Sequence, residues 1–134
     1  LNGVNLTLSS LYQYFKFDVE ILNQNLVVQV NRKTPKFIWN YETLFVDYDD
    51  TFEHIKAKLL EIDKDIIIVT RSKVKVNTSY PTVYVKDGEL KSDIINKLNK
   101  PKPIFVDDSF KERKDVILNC NIPSITPEEI NYLP

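Results

Sequence analysis

From Tyr41 onward, short apolar runs alternate with stretches of helical period. Leu44-Phe45-Val46, Ile66-Ile67-Ile68-Val69 and Ile104-Phe105-Val106 are continuously apolar, which suits strands of a parallel sheet covered on both faces. Further strands are predicted over 82–85 and, briefly, near 122–125. Between these runs, Phe52, Ile55, Leu59 and Ile62 share one face of a helix predicted over about 52–62. Ile94, Ile95 and Leu98 mark a second helix over 92–99, and Ser109 caps a third that carries Phe110, Val116 and Ile117. Thr126-Pro127-Glu128-Glu129 reads as a fourth helix start, with Thr as N-cap, Pro at N1 and Glu closing a capping box. Strands alternating with helices predict an α/β domain of three layers over 41–134. Residues 1–40 read differently. A short helix is predicted over Leu11–Phe17, then a β-hairpin with arms 19–22 and 26–30 around Asn23-Gln24-Asn25. Residues 31–36, with Pro35, read as a connection. The chain is therefore divided into an N-terminal extension, 1–40, and the α/β domain, 41–134.

The predicted strands end in polar groups. The first runs into Asp47-Tyr48-Asp49-Asp50-Thr51, the second closes on Thr70, and 104–106 leads into Asp107-Asp108-Ser109. If strand alternation continues past Val46, Asp47 and Asp49 point to the same face. Two full charges about 4 Å apart repel by roughly 4 kcal/mol at an effective dielectric near 20. A cation, a shared proton or a substrate is needed to relieve that. In open parallel sheets, ligands gather outside the carboxyl ends of the strands, where all these groups are predicted to lie.

In this order, the motifs resemble those of the haloacid dehalogenase (HAD) superfamily of phosphotransferases. Asp47, Asp49 and Thr51 match an Asp-x-Asp-x-Thr motif after a hydrophobic strand. Thr70 matches the hydroxyl that closes the next strand, and Asp107 with Asp108 matches the acidic pair closing another. The family's lone lysine is best matched by Lys91, with Lys86 and Lys97 as competitors. The resemblance implies a Rossmann-like fold with a five-stranded parallel sheet of order 5-4-1-2-3, which sets the two acidic pairs side by side. It also implies a phosphatase in which Asp47 is the nucleophile forming an aspartyl-phosphate and Asp49 is general acid, then base. Mg²⁺ would sit among Asp47, a main-chain carbonyl near Asp49, and one or both of Asp107 and Asp108. Thr70 and Lys91 would bind the phosphoryl group of a phosphorylated substrate.

The chain departs from the family in its connections. Only 18 residues separate Thr51 from Thr70, leaving no room for the usual flap, and no insertion is large enough for a cap domain. The link 71–81 is short and without helical period. These features imply a capless, open site with room for a large substrate. A second resemblance is shorter: Asp107 to Lys114, followed by Ile122-Pro123, is similar to HAD-like portions appended to bacterial ATP-grasp proteins. The alternative reading is a non-catalytic binding module that keeps the fold and meets a protein partner or fused domain through residues 1–40.

Composition narrows the rest. With 18 basic and 19 acidic residues, bulk charge argues for neither nucleic acid nor an anionic membrane as partner. Nucleic-acid end processing ranks last, because no basic–aromatic surface is evident. No apolar run reaches membrane-spanning length, no signal-peptide layout is present, and the lone Cys120 suits a reducing compartment, so a cytoplasmic location is expected. The chain contains no Met, even at position 1, which fits a processed form or a domain of something longer. The sequons at Asn5 and Asn77 read as chance. His54 reads as a solvated helix residue; Arg71, Lys73 and Lys75 follow the second strand, where they could meet a phosphate, but read first as a solvated loop.

Overall fold

A computed structural model describes residues 28–29, 36–37 and 40–134. Two short strands, β1 (Val28–Gln29) and β2 (Lys36–Phe37), pair antiparallel. β1 falls in the second arm of the expected hairpin, but its partner β2 includes Lys36, where a connection was expected. The arm 19–22 and the helix expected over 11–17 lie outside the described residues.

The main sheet is built from β3 (Thr43–Val46), β4 (Asp65–Thr70), β5 (Thr82–Tyr84), β6 (Pro103–Val106) and β7 (Ser124–Ile125). All neighbours are parallel, in the order β5-β4-β3-β6-β7. Numbered along the chain and read from the β7 edge, this is the expected 5-4-1-2-3. The topological switch point lies between β3 and β6, whose residues pair from Thr43 with Pro103 through Val46 with Val106.

Alternate residues divide the core between the two faces of the sheet. Leu44, Val46, Ile66, Ile68, Ile104 and Val106 face α1 (Phe52–Leu59) and a 3-10 helix (Pro127–Tyr132), meeting Phe52, Ile55, Leu59 and Ile130. Phe45, Ile67, Val69 and Phe105 face α2 (Lys91–Leu98) and α3 (Phe110–Cys120), meeting Ile94, Ile95 and Val116. Burying each such side chain contributes about 1.5–3 kcal/mol, so the strands without polar alternation are the ones held inside. The result is the three-layer α/β arrangement.

Helix ends follow local chemistry. Ser109 accepts a hydrogen bond from the Glu112 N–H and starts α3, whereas α2 and α3 end on Asn99 and Asn121 in the left-handed conformation, φ 46 and 54. α1 stops at Leu59, short of the expected Ile62, and Leu60 is exposed. The expected capping box closes at Thr126, whose N–H donates to Glu129 Oε1 at 2.9 Å, but the helix it opens is 3-10 rather than α. Leu133, extended ahead of Pro134, stops it after six residues, because a following proline disfavours the helical region for the residue before it.

The connection from β4 to β5 has no helix. Residues 71–81 cross as irregular chain, fixed where Ile68 N–H meets the Pro81 carbonyl at 2.8 Å and Val85 N–H meets that of Thr70 at 2.7 Å. Among the described residues there is no inserted subdomain and no helix long and apolar enough to cross a membrane.

Candidate active site

β3 and β6 run side by side in register, so the residues that follow them emerge together. Phe45 and Phe105 both face α2, and two positions further on so do Asp47 and Asp107. The Asp47 N–H still bonds the Val106 carbonyl at 2.9 Å, extending the ladder to the carboxylate itself. Both acids are buried.

Lys91, the first residue of α2, reaches between them. Its Nζ lies 2.7 Å from Asp47 Oδ1, 2.8 Å from Asp107 Oδ2 and 3.4 Å from Glu112 Oε2. Its side chain is only 3% exposed and passes over the Phe105 ring. A cation at a helix N-terminus opposes the helix dipole, and Leu90 supplies no side-chain cap. The facing carboxylates are what hold it there. Lys86 and Lys97, the other candidates, are exposed and make no contact with these acids.

Thr51 ties the two acidic pairs from the other side. Its hydroxyl lies 3.1 Å from Asp47 Oδ2 and 3.3 Å from Asp108 Oδ1, and it accepts the Asp108 N–H at 3.2 Å. The buried Arg113 donates from Nη1 to the carbonyls of Asp107 and Asp108, at 3.0 and 2.9 Å, and so clamps the end of β6.

Charge and burial compete here. Burial pushes Asp107 up to about 7; the charge of Asp47 adds to this, while Lys91 and the Ser109 N–H oppose it. Burial also raises Asp47, against the pull of Lys91 and Thr51 and with a small push from Asp108. For Lys91, burial acts to lower the ammonium, but Asp107 and Asp47 together outweigh it and hold it above its ordinary value.

Oxygens of Asp47, Asp107 and Asp108 lie within 4.8 Å of one another. An all-carboxylate set at the edge of solvent suits a hard divalent cation that keeps part of its water, as Mg²⁺ does. Asp49 does not join this group. β3 ends at Val46 and the chain turns through Asp50 at φ 57; the Asp49 carboxylate lines the same hollow as Asp47 but lies outside the group formed by Asp47, Asp107 and Asp108. It is exposed on the rim instead.

The hollow above the acids has a volume of about 360 Å³ and is lined by Asp47, Asp49, Lys91, Asp107, Arg71 and Glu112 among others. Thr70 is not part of its wall. It is fully buried, and its hydroxyl accepts the Ser72 N–H at 3.1 Å. Arg71 lies there in its stead, forked onto Glu112 with Nε to Oε2 at 2.9 Å and Nη2 to Oε1 at 3.3 Å. The sequence offered Arg71 either as a phosphate contact or, preferred, as part of a solvated loop, and gave no role to Glu112 or Arg113. The available signal was Glu112 three residues after the Ser109 cap, which sets it in the first turn of α3 beside the acidic pair. His54 lies elsewhere, on the exposed side of α1 near the 3-10 helix.

Comparison of the chain with protein-family models, with curated proteins and with solved structures finds no match.

Proposed function

We propose that this chain is a capless, Mg²⁺-dependent phosphohydrolase of the haloacid dehalogenase type, acting through an aspartyl-phosphate. The observation that carries the reading is the buried Asp47–Lys91–Asp107 constellation at the switch point, with Lys91 Nζ 2.7 and 2.8 Å from the two carboxylates. A buried charge cluster of this kind is a poor way to stabilise a fold, and perturbed carboxyls in an open hollow are the mark of a functional site.

In this reading an Asp47 oxygen attacks phosphorus and the bond to the leaving oxygen breaks. Asp49, on the rim, gives that oxygen its proton and then takes one from the water that attacks the aspartyl-phosphate. Lys91 keeps Asp47 ionised and aimed, and offsets charge on the phosphoryl oxygens. Thr51 and Arg113 hold the two acidic loops in place. Six acidic side chains line the hollow (Asp47, Asp49, Asp50, Asp107, Asp108, Glu112) against three basic ones (Arg71, Lys91, Lys111), a formal balance of −3. An oxyanion will not enter readily without added positive charge. Mg²⁺ held by Asp47, Asp107 and Asp108 supplies that charge when bound.

The second reading, a non-catalytic binding module, is favoured by one observation: the Asp49 carboxylate stands apart from the acidic cluster. Phosphate release from an aryl phosphate, with and without Mg²⁺, separates the two. Mg²⁺-dependent turnover that disappears in Asp47→Asn is the expected result. Absence of both turnover and calorimetric Mg²⁺ binding in the native protein would favour the binding module.

A further inference from the structure

The rim of the hollow carries a second cationic feature beyond Lys91. Arg71 follows β4 directly and is fixed by three hydrogen bonds, two to Glu112 and one from Nη1 to the Glu89 carbonyl at 3.0 Å. A guanidinium has five N–H donors, so two remain, one on each terminal nitrogen. Its side chain is 40% exposed, whereas Glu112 beneath it is 13% exposed. Arg71 is thus pre-oriented by a half-hidden carboxylate while its outer edge meets the hollow. Arginine held in this way binds carboxylate or phosphate through paired hydrogen bonds, with little further loss of side-chain freedom.

The same acid touches both cations. Glu112 Oε2 lies 2.9 Å from Arg71 Nε and 3.4 Å from Lys91 Nζ. Arg71 therefore stands one carboxylate away from the lysine assigned to the scissile phosphoryl group. Lys111, also on the rim and exposed, adds positive charge to the α3 side, whereas Asp49 and Asp50 make their side of the rim acidic. The wall is polarised. Among the described residues no inserted subdomain grips the rest of a substrate, so recognition there falls to these rim groups.

We propose that Arg71, positioned by Glu112, binds a second anionic group of the substrate, so that the enzyme acts on phosphomonoesters that also carry a carboxylate or another phosphate. This rests on the phosphohydrolase reading above. It adds that phosphomonoesters without a second anionic group bind more weakly than those that carry one, although they are still turned over.

Non-hydrolysable probes test it independently of turnover. Binding of methylphosphonate, phosphonoacetate and methylenediphosphonate is measured by calorimetry, with Mg²⁺ in excess over all chelation, for native protein, Arg71→Gln and Arg71→Lys. Native protein should prefer the two probes that carry a second anionic group by roughly tenfold or more, the scale of one or two added charge-assisted bonds. In Arg71→Gln that ratio should fall towards unity, with Arg71→Lys between. Preference for phosphonoacetate points to a carboxylate as the second group, and preference for methylenediphosphonate to a phosphate. If native protein binds methylphosphonate equally well, or if Arg71→Gln weakens all three probes alike, the second anion site is wrong while the phosphohydrolase reading stands. If native protein binds none of the probes, both readings fall.

Discussion

At the scale of single residues, the site turns on a buried lysine that two carboxylates share. Removing it leaves Asp47 and Asp107 buried together with no counter-charge, and breaking a buried ion pair by deleting one partner costs about 3–5 kcal/mol. Lys91→Met should therefore lower unfolding free energy by about that much at pH 8, measured by urea denaturation. The loss should shrink at pH 5, where Asp107, pushed up to about 7, takes a proton and one of the two charges disappears. An equal loss at both pH values would mean that the carboxylates are not in electrostatic contact with Lys91. These residues were legible in the sequence because strand ends and acid spacing are local facts. Glu112, Arg71 and Arg113 were not, because their roles arise only when α3 lies across the ends of β4 and β6. Asp49 shares the hollow with Asp47, as its spacing suggested, but its carboxylate does not join the group of Asp47, Asp107 and Asp108.

At the scale of elements, α3 is the support of the site. Its N-cap Ser109 accepts the Glu112 N–H, and its first turn supplies both Glu112 and Arg113. Ser109→Ala should cost about 1 kcal/mol of stability by losing the cap, read from the denaturation midpoint. Metal affinity, measured by calorimetry, should fall with it, because the Ser109 N–H also bonds Asp107 Oδ1 at 2.9 Å and the loop at that position would loosen. Unchanged metal affinity would place α3 outside the binding machinery. The elements themselves were largely readable from apolar period and capping residues, with ends shifted by a few positions. The crossover 71–81 was read as short and without helical period, and it joins a parallel pair with no helix between its strands. Main-chain bonds from Ile68 and Val85 and the buried Val76 hold it in place of helix packing.

At the scale of the whole molecule, the acidic site opposes folding, and pH reveals how strongly. Asp107 and Asp47 bind protons more tightly in the folded chain than in the unfolded one. Their contribution to stability is therefore fully present below the ordinary carboxylate value of 3.8 and declines as pH rises towards about 7, where Asp107 ionises. Lys91, held above 10.5, contributes up to that pH and loses its contribution only in more alkaline solution. A divalent cation that binds the folded state alone reverses the carboxylate loss by mass action. Excess Mg²⁺ should thus raise the melting temperature more at pH 8 than at pH 5 in scanning calorimetry. No Mg²⁺ effect at either pH would rule out Mg²⁺ held by Asp47, Asp107 and Asp108. The strand order was legible only through resemblance, since periodicity names strands but not their neighbours.

The order β5-β4-β3-β6-β7 also has a consequence for how the chain comes off the ribosome. β3 is the first strand of the sheet to be made, yet it ends in the middle of it, and its partner on one side, β6, emerges only after β4, β5 and α2. Until then the edge formed by Thr43-Leu44-Phe45-Val46 is apolar and unpaired, the kind of template on which other chains can add. The nascent domain is most vulnerable to aggregation during that interval, and it closes when β6 docks, in the same event that brings Asp107 beside Asp47. Closure of the β3 edge and the meeting of the two acids are one step, before β7 and α3 are added.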